Sequence, residues 1–401
     1  MRRRSATAVP YLSKVDSPAP EDPPTHSVLV RGWFAVPRGS AWEPPVVDVG
    51  ERLPVELVQR AEVEAGLGDD WQVTGYQTIV PITPDTSAGR WDVIISVDGR
   101  EYRERLPVDP SPAALDEFRA IKSKKLDQIE PLLRCPRPGD PEGDCHGKLT
   151  RINAEELECT RCGARYPATQ EHFNLLPADV AAVSGIEHTD NISSWGHDAI
   201  ATHIIQTHAD GLVLDAGSGF KSTVYEHVVN LEVVAYPSTD VLSVGEHLPF
   251  ADASFDAALS LNVLEHVRDP FRCATELTRV VRPGGKLYAS TPFLQPYHGY
   301  PHHYYNMTAS GLENLFSGAF EIEQLGVPDE ALPIWALSWF LNSYVAGLPV
   351  EAAEKFRKLT VEELRAPAYE FLDRDFVTEL RASTNIELAC GCILVGTRRG
   401  D

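Results

Sequence analysis

The stretch GLVLDAGSGFKS (residues 211–222) decides the fold of the second half of this chain. An apolar run, which reads as a buried strand, ends at Asp215, and a turn made of Gly217, Ser218 and Gly219 follows at once. Glycines at such a turn let the backbone reverse sharply and approach a ligand closely. The turn alone is a weak signal, because neither the complete GxGxxG motif nor the P-loop lysine signature is present in this stretch.

The segments after this turn alternate between strand and helix patterns, which indicates a doubly wound α/β sheet. LEVVAY (231–236) predicts a second strand that carries Glu232, a carboxylate able to accept hydrogen bonds from ribose hydroxyls. LPFADASFDAALSLNVLEHV (248–267) predicts a further strand, and RVVRPGGKLYASTPF (279–293) predicts another after its Pro-Gly-Gly turn. The pattern predicts a parallel sheet whose ligand site lies at the carboxyl ends of the strands.

This set of segments, in this order, resembles the class I S-adenosylmethionine-dependent methyltransferases of the type 11-like branch. The resemblance covers roughly residues 183–401. It implies a Rossmann-like, seven-stranded, doubly wound sheet and S-adenosylmethionine as the cofactor.

The resemblance also implies which residues bind the cofactor. The glycine turn would hold its amino-acid part, Glu232 its ribose hydroxyls, and residues 244–246 its adenine, while Asn262 would face its methionine end. Asp240 remains an alternative ribose ligand, and Lys221 replaces the third glycine of the first motif. The complete implied set is Asp215, Ala216, Gly217, Ser218, Gly219, Glu232, Val244, Gly245, Glu246 and Asn262.

HGYPHHYYNMT (298–308) leaves from the end of the fifth predicted strand, at the edge where ligands bind in such sheets. An oxygen acceptor benefits from a general base near neutrality, and histidine suits that role. Our hypothesis is that His298, His302 or His303 is this base; packing, or hydrogen bonds to backbone carbonyls, is the alternative. A metal site built from these histidines is disfavoured, because the sequence shows no carboxylate at supporting spacing.

Four cysteines upstream predict a structural zinc site. Cys159 and Cys162 form a CxxC knuckle, and Cys135 and Cys145 form a wider first pair. Four thiolates in two pairs match a closed tetrahedral Zn²⁺ site. The segment resembles the zinc ribbons that accompany certain methyltransferases, whose first half is CPxC; because that half is stretched here, His146 remains an alternative to Cys145.

Composition divides the chain into five segments. The first segment is expected to be disordered because of its proline, serine and charge content. The second is expected to contain short strands, because it is rich in β-branched residues. The lid insertion, about residues 328–385, lies between a sixth strand at FEIEQLGVP (320–328) and a seventh in IELACGCILVGTRR (386–399). The expected segments are a tail (1–25), a β-sandwich (26–110), a helical linker (111–130), a zinc-ribbon segment (131–180) and the methyltransferase domain (181–401).

Charge and hydrophobicity limit the partners. Acidic residues outnumber basic ones 58 to 36, for a net charge of −22, which disfavours nucleic acid and anionic membranes. The apolar stretch 331–350 contains Asn342 and Ser343 and is interpreted as a buried helix or lid and not as a membrane span. The basic start lacks the apolar run of a secretory signal, so a cytoplasmic location is expected.

The resulting functional hypothesis is transfer of a methyl group from S-adenosylmethionine to a small-molecule or glycan acceptor, at oxygen, in a biosynthetic reaction. A non-catalytic binding or scaffold protein, or an RNA or protein methyltransferase, is the alternative. A homo-oligomer formed through the β-sandwich is the one protein partner that the sequence leaves open.

Overall fold

The computed structural model describes residues 11–17, 26–58, 60, 63–64, 67, 70–83, 90–108, 112–138, 145–186, 192–194, 196–299 and 302–391. Its N-terminal part contains two four-stranded antiparallel sheets, with strand orders β1-β2-β6-β5 and β4-β3-β7-β8. The strands are β1 (Leu12–Ser17), β2 (Ser27–Pro37), β3 (Trp42–Asp48), β4 (Arg52–Pro54), β5 (Glu56–Val58), β6 (Trp71–Pro81), β7 (Asp92–Val97) and β8 (Arg100–Arg105).

The two sheets enclose one apolar core, as in a β-sandwich. Phe34, Tyr76 and Trp91 are fully buried in it. β1 corrects one expectation: residues 12–17 belong to the segment assigned to a disordered tail, yet they pair with β2 along its length. Composition gave the wrong expectation for these residues because it contains no information on cross-strand pairing. Such pairing stabilises a short polar strand.

A long helix and a small sheet connect the sandwich to the second half. Helix α1 (Pro112–Ile129) is followed by β9 (Leu149–Asn153), β10 (Glu156–Cys159) and β11 (Arg165–Pro167), which form an antiparallel sheet in the order β11-β10-β9. A two-residue strand, β12 (Phe173–Asn174), then pairs with the large sheet. The small sheet is therefore joined to the large one by backbone hydrogen bonds.

The large sheet is parallel throughout, with the order β12-β15-β14-β13-β16-β17. The order reverses between β13 and β16, and ligands bind in such folds at the carboxyl ends of the strands beside a reversal. The remaining strands are β13 (Val213–Ala216), β14 (Val228–Glu232), β15 (Val241–Leu242), β16 (Phe255–Leu261) and β17 (Val281–Ser290), with helices α2 (Ala178–Ser184), α3 (Ala199–Thr207), α4 (Pro270–Val280) and α5 (Ala309–Phe316).

The expected count of seven strands is wrong for the described residues. FEIEQLGVP (320–328) forms no strand, and Ala382–Glu387 is a helix where the seventh strand was expected to begin. Residues 392–401 lie outside the described residues. A sixth strand needs a paired neighbour, because an isolated strand cannot satisfy its backbone groups or bury an apolar face. Among the described strands, β17 forms one edge of the sheet, and β12, from the ribbon segment, forms the other edge as the sixth strand.

The expected lid region is helical. Leu348, Ala352 and Phe356 form the centre of a small core of its own. No helix in the described parts of the chain is long and apolar enough to cross a membrane. The helices are α6 (Pro333–Ala346), α7 (Val350–Phe356), α8 (Val361–Leu364), α9 (Asp375–Thr378) and α10 (Ala382–Glu387).

Candidate functional site

The glycine turn follows β13 and has little room for side chains. Gly217 has φ 78° and Gly219 has φ 63°, in the left-handed region that favours glycine. A Cβ atom at Gly217 would lie 2.4 Å from Cγ2 of Val263, and one at Gly219 would lie 2.9 Å from the backbone oxygen of Ser193. Both glycines are therefore required by backbone conformation and by packing.

Asp215, at the end of the same strand, is a buried carboxylate with two cationic or hydrogen-bonding neighbours. Its Oδ2 lies 2.8 Å from Nε2 of His197 and 3.5 Å from Nζ of Lys221. Burial by itself raises the pKa of Asp215, but Lys221 and the His197 hydrogen bond outweigh it, so the pKa is below its usual value. His197 was not predicted, because it precedes the motif in a loop and no spacing rule connects the two.

Glu232 ends β14 and braces the glycine turn. Its Oε2 accepts a hydrogen bond from the backbone N–H of Gly219 at 2.7 Å, and its Oε1 accepts one from Val233 at 2.7 Å. Burial raises the pKa of Glu232. The carboxylate lies beside the glycine turn. Its role as the ribose ligand stays a prediction.

Asp240, the alternative ribose ligand, has another role in the fold. It is fully buried, with its oxygens 2.9 Å from Nζ of Lys122 and 2.7 Å from Nζ of Lys125. Both lysines lie on α1, so this ion pair attaches the linker helix to the sheet. Burial alone would raise the pKa of Asp240, but the two lysines lower it below its usual value.

One cavity of about 1770 Å³ opens at the carboxyl ends of β13, β16 and β17. It exceeds a typical ligand pocket of about 300–1,000 Å³ because it continues along the edge of β17. The cofactor residues that it brings together are Asp215, Gly217, Ser218 and Asn262. The implied residues outside its lining are Ala216, Gly219, Glu232, Val244, Gly245 and Glu246.

The segment 244–246, expected beside adenine, is occupied by internal packing. Val244 is 1% exposed, and a Cβ atom at Gly245 would lie 3.0 Å from Sγ of Cys273. Glu246 accepts a hydrogen bond from the backbone of Arg268 at 3.2 Å, and burial raises its pKa. An adenine role for this segment therefore stays a prediction.

Asn262 stands at the mouth of the cavity in an unusual backbone conformation. Its φ is 54°, although it is not glycine, and its N–H donates to the carbonyl of Ser290 at 3.0 Å. Such a conformation costs energy and is found disproportionately at ligand sites. Its expected position facing the methionine end of the cofactor stays a prediction.

The segment 298–308, called the lip from here on, contains three histidines with different surroundings. Only His298 lines the cavity. Its Nδ1 lies 2.9 Å from the carbonyl of Pro296, and burial lowers its pKa to about 4, so its ring is neutral at pH 7. His303 accepts from the backbone N–H of His298 at Nδ1 and donates from Nε2 to Asn306, so neither nitrogen offers a lone pair to a ligand. The carbonyl of His302 lies 2.8 Å from Nδ1 of His266, and the His302 ring is tilted against that of Tyr304 at 5.0 Å between centroids.

Two further residues of this region line the cavity. Glu265 and His266 follow β16, and the backbone N–H groups of Tyr304 and Tyr305 both bond to the Glu265 carbonyl. Burial raises the pKa of the Glu265 side chain to about 8. Their approach to the lip joins two segments that are far apart in sequence.

The helical insertion covers one side of the lip. The ring of Trp339, on α6, lies 5.3 Å from that of His298, and the Tyr297 N–H donates to the carbonyl of Glu387. Trp335 also lines the cavity. A role for this insertion as a lid over the acceptor stays a prediction.

The β-sandwich contacts the residues that directly follow the glycine turn. Nε2 of His26 donates to the carbonyl of Lys221 at 3.0 Å, and Arg31 donates to that of Ile192 at 2.9 Å. Leu29 packs with Phe220 in a small apolar cluster. The sandwich therefore supports the turn, a role that strand patterns alone could not indicate.

The four ribbon cysteines converge. All four Sγ atoms lie within 4.8 Å of one another, with Cys135 to Cys162 at 3.7 Å and Cys145 to Cys159 at 3.6 Å. The backbone N–H groups of residues 161 and 162 point at Sγ of Cys159. The sequence favoured Cys145 over His146 as the fourth ligand, and Cys145 belongs to the cluster.

Substituting Gly217 by Ala is expected to weaken cofactor binding at least tenfold. A left-handed alanine costs roughly 1–2 kcal/mol, and the contact with Val263 adds to it. Calorimetry with S-adenosylhomocysteine measures the effect. Gly99→Ala is the matched control, because Gly99 has φ 74° but open space around it and lies in the sandwich. Equal affinity of both variants and the unmodified chain would contradict the prediction.

The parallel Rossmann-like sheet carries a glycine turn after β13 and a cavity at its carboxyl edge. Residues 199–289 match the family described as "Methyltransferase domain". These findings confirm the predicted fold class and the resemblance, apart from the strand count.

Several mycobacterial proteins named as methyltransferases are similar to this chain. The chain is 51% identical over 61 residues to an uncharacterized methyltransferase of Mycobacterium sp. (strain JLS), covering 15% of this chain and 24% of the relative. It is 38% identical over 91 residues to one of Mycobacterium tuberculosis (strain ATCC 25618 / H37Rv), covering 21% and 36%. The chain thus spans about a quarter to a third of the length of these relatives.

Solved structures also match. The YcgJ protein of Bacillus subtilis is 18% identical, covering 40% of this chain and 85% of that one, with a TM-score of 0.27. Phosphoethanolamine N-methyltransferase 2 of Haemonchus contortus, in complex with S-adenosyl-L-methionine, is 14% identical, covering 44% and 47%, with a TM-score of 0.26.

Proposed function

We propose that the protein transfers a methyl group from S-adenosylmethionine to an oxygen of a small-molecule or glycan acceptor. The observation that carries the proposal is one cavity lined both by the glycine turn and by His298 of the lip. S-adenosylmethionine, when bound, supplies a methyl group on a sulfonium centre. The task left to the protein is to hold the two molecules in line and to exclude water.

The residues around the glycine turn fit the cofactor. The buried carboxylate of Asp215 suits a cationic amino group, and the N–H groups of a left-handed turn suit an anionic carboxylate. Glu232 stands next to the turn, where a carboxylate can accept bonds from two hydroxyls. Asn262 lines the same cavity as the glycine turn and His298.

The lip and the helical insertion fit an acceptor. The ring of His298 is neutral and lies against Trp339. Its Nδ1 is hydrogen-bonded to a backbone carbonyl, so the lone pair on Nε2 is left for an acceptor hydroxyl. Aromatic side chains of the insertion supply apolar walls, as in many small-molecule sites. The net charge of −22 favours such an acceptor over RNA.

His298→Gln is expected to lower turnover about 10²-fold or more while cofactor affinity stays unchanged, because general bases contribute roughly 10²–10⁴-fold. Transfer of a tritiated methyl group to a panel of phenols and monosaccharides measures turnover. His303→Gln is the matched comparison from the same lip and is expected to change turnover far less, since both ring nitrogens of His303 are engaged. Equal losses in the two variants would contradict a specific role for His298.

Calorimetry with S-adenosylmethionine separates this proposal from a non-catalytic scaffold. Binding at micromolar concentration is expected. No binding at high micromolar concentration would refute the proposal and favour a scaffold. Methyl transfer to RNA or to a protein, with none to the small-molecule panel, would replace the acceptor class.

We also propose that the cysteine cluster holds one structural Zn²⁺. Four sulfur atoms at mutual distances of 3.6–3.7 Å for two pairs suit Zn–S bonds of about 2.3 Å in a tetrahedron. Four protein ligands leave no open position, so this ion would stabilise the ribbon and would not take part in methyl transfer.

A further inference from the structure

We propose that Glu265, His266 and His298 form a binding site for a divalent transition-metal ion at the acceptor end of the cavity. One carboxylate oxygen and one nitrogen from each ring lie within 4.8 Å of one another. All three residues line the cavity. The site joins the end of β16 to the lip, two segments whose proximity the sequence did not reveal.

The carboxylate of Glu265 provides the first argument. The side chain is fully buried, and Oε1 has no hydrogen-bond partner among the residues that the structure describes. Nε2 of His266 lies 3.7 Å from Oε1, beyond hydrogen-bond distance. Burying a carboxylate oxygen without a partner is costly, and such an atom in a native fold calls for a ligand. A bound cation is the ligand that satisfies it.

The hydrogen bonds of the two histidines provide the second argument. Nδ1 of His266 lies 2.8 Å from the carbonyl of His302, and Nδ1 of His298 lies 2.9 Å from that of Pro296. A carbonyl only accepts, so each Nδ1 carries the proton and each neutral ring has its lone pair on Nε2. Metal-bound histidines are oriented in this way, with the second nitrogen donating to a backbone carbonyl.

The donor set indicates which ions fit. Two imidazoles and one carboxylate suit Mn²⁺, Fe²⁺, Co²⁺ or Zn²⁺, whereas Mg²⁺ and Ca²⁺ prefer oxygen ligands. Ligands about 2.1 Å from one ion lie at most about 4.2 Å apart, so binding requires the side chains to close by less than about 1 Å. Three protein ligands leave positions open toward the cavity, as in catalytic metal sites.

The role of the ion rests on the proposed function. An ion at this position would bind the acceptor oxygen through an open position and lower the pKa of its hydroxyl. His298 would then act as a metal ligand and not as the general base. The sequence disfavoured a metal site built from these histidines because no carboxylate lies at supporting spacing, and Glu265, which follows β16, supplies that carboxylate.

Titration of the full-length protein with Mn²⁺, followed by electron paramagnetic resonance, tests the site. Mn²⁺ is chosen because the thiolates of the ribbon favour softer ions. One Mn²⁺ per chain is expected, with nitrogen couplings from two imidazoles. Glu265→Gln and His298→Gln are expected to weaken binding at least tenfold. Glu313→Gln and His203→Gln, exposed residues that line the same cavity, are the matched controls and should leave it unchanged.

Two outcomes would overturn the site: no bound Mn²⁺ in the unmodified protein, or equal loss in the Glu265 and Glu313 variants. Thermal unfolding of each variant checks that it is folded, and the nitrogen couplings identify the ligands independently of stability. Calorimetry with S-adenosylhomocysteine is run on the same samples. Cofactor binding without Mn²⁺ binding refutes the metal site alone, whereas Mn²⁺ binding without cofactor binding refutes the proposed function alone.

Discussion

Replacing Cys159 by Ser is expected to abolish zinc binding and to lower the unfolding temperature by more than about 10 °C. Structural zinc sites contribute roughly 10–16 kcal/mol of binding free energy, and little of the ribbon's stability can come from its three short strands. The effect should extend beyond the ribbon. Cys135, Cys145 and Cys159 belong to the same apolar core as Phe173 of β12 and Leu214 of β13.

The measurement is zinc content by elemental analysis together with thermal unfolding before and after chelation. Cys273→Ser is the matched control, because Cys273 is equally buried, at 2% exposure, but lies on α4 outside the cluster. It should keep one zinc per chain. A chelated protein with an unchanged unfolding temperature, or a Cys159 variant with full zinc content, would overturn the zinc proposal.

Sequence patterns predicted the elements whose signals are local. The run of apolar residues before Asp215 and the glycine turn after it depend on neighbours a few residues away, as do the Asp98-Gly99 turn and the cap at Thr308 that the structure contains. Asp98 and Gly99 have φ 49° and 74°, and Oγ1 of Thr308 accepts the N–H of Gly311. Turn and cap chemistry of this kind is fixed by a handful of consecutive residues, so it can be predicted without the fold.

The site was predicted only in part, because its decisive contacts join distant segments. His197 reaches Asp215 from a loop before α3, and Glu265 reaches the lip from the end of β16. No periodicity or spacing links these residues. The sequence named three histidines as one class, but the carbonyl and amide partners that distinguish His298 from His303 arise only when the lip folds back on itself.

Asp240 shows the same limit for an interaction between domains. As a carboxylate at the end of a loop after β14, it was a reasonable second choice for the ribose. The sequence could not show that two lysines of the linker helix, Lys122 and Lys125, reach it from more than one hundred positions away. A carboxylate close to the predicted cofactor residues therefore holds the linker helix against the sheet.

Asp240→Asn is expected to destabilise the protein by about 3–5 kcal/mol at pH 7, because it leaves two buried ammonium groups without their counter-charge. Denaturant unfolding followed by circular dichroism measures the change. Asp116→Asn on α1 is the matched control. Its carboxylate is 80% exposed and 3.8 Å from Arg119, so its loss should cost less than about 0.5 kcal/mol.

The pH dependence has a defined sign. Because the lysines lower the pKa of Asp240 in the folded state, its contribution is present above the unfolded value, about 4, and is lost as the pH falls through the lower folded value. The stability difference between the unmodified protein and Asp240→Asn should therefore shrink below about pH 4. A difference that is constant down to pH 3 would contradict the buried ion pair.

The same variant separates the two candidates for the ribose. If Asp240 holds α1 to the sheet, Asp240→Asn loses stability but binds S-adenosylhomocysteine with unchanged affinity at a temperature where it is folded. Glu232→Gln should weaken cofactor binding, because it removes a charge beside the glycine turn. The reverse result is a loss of cofactor affinity in the Asp240 variant with its stability retained. It would assign ribose binding to Asp240 and leave the two buried lysines without an explanation. Since both lysines contact Asp240 at 2.9 Å or less, we expect the first result.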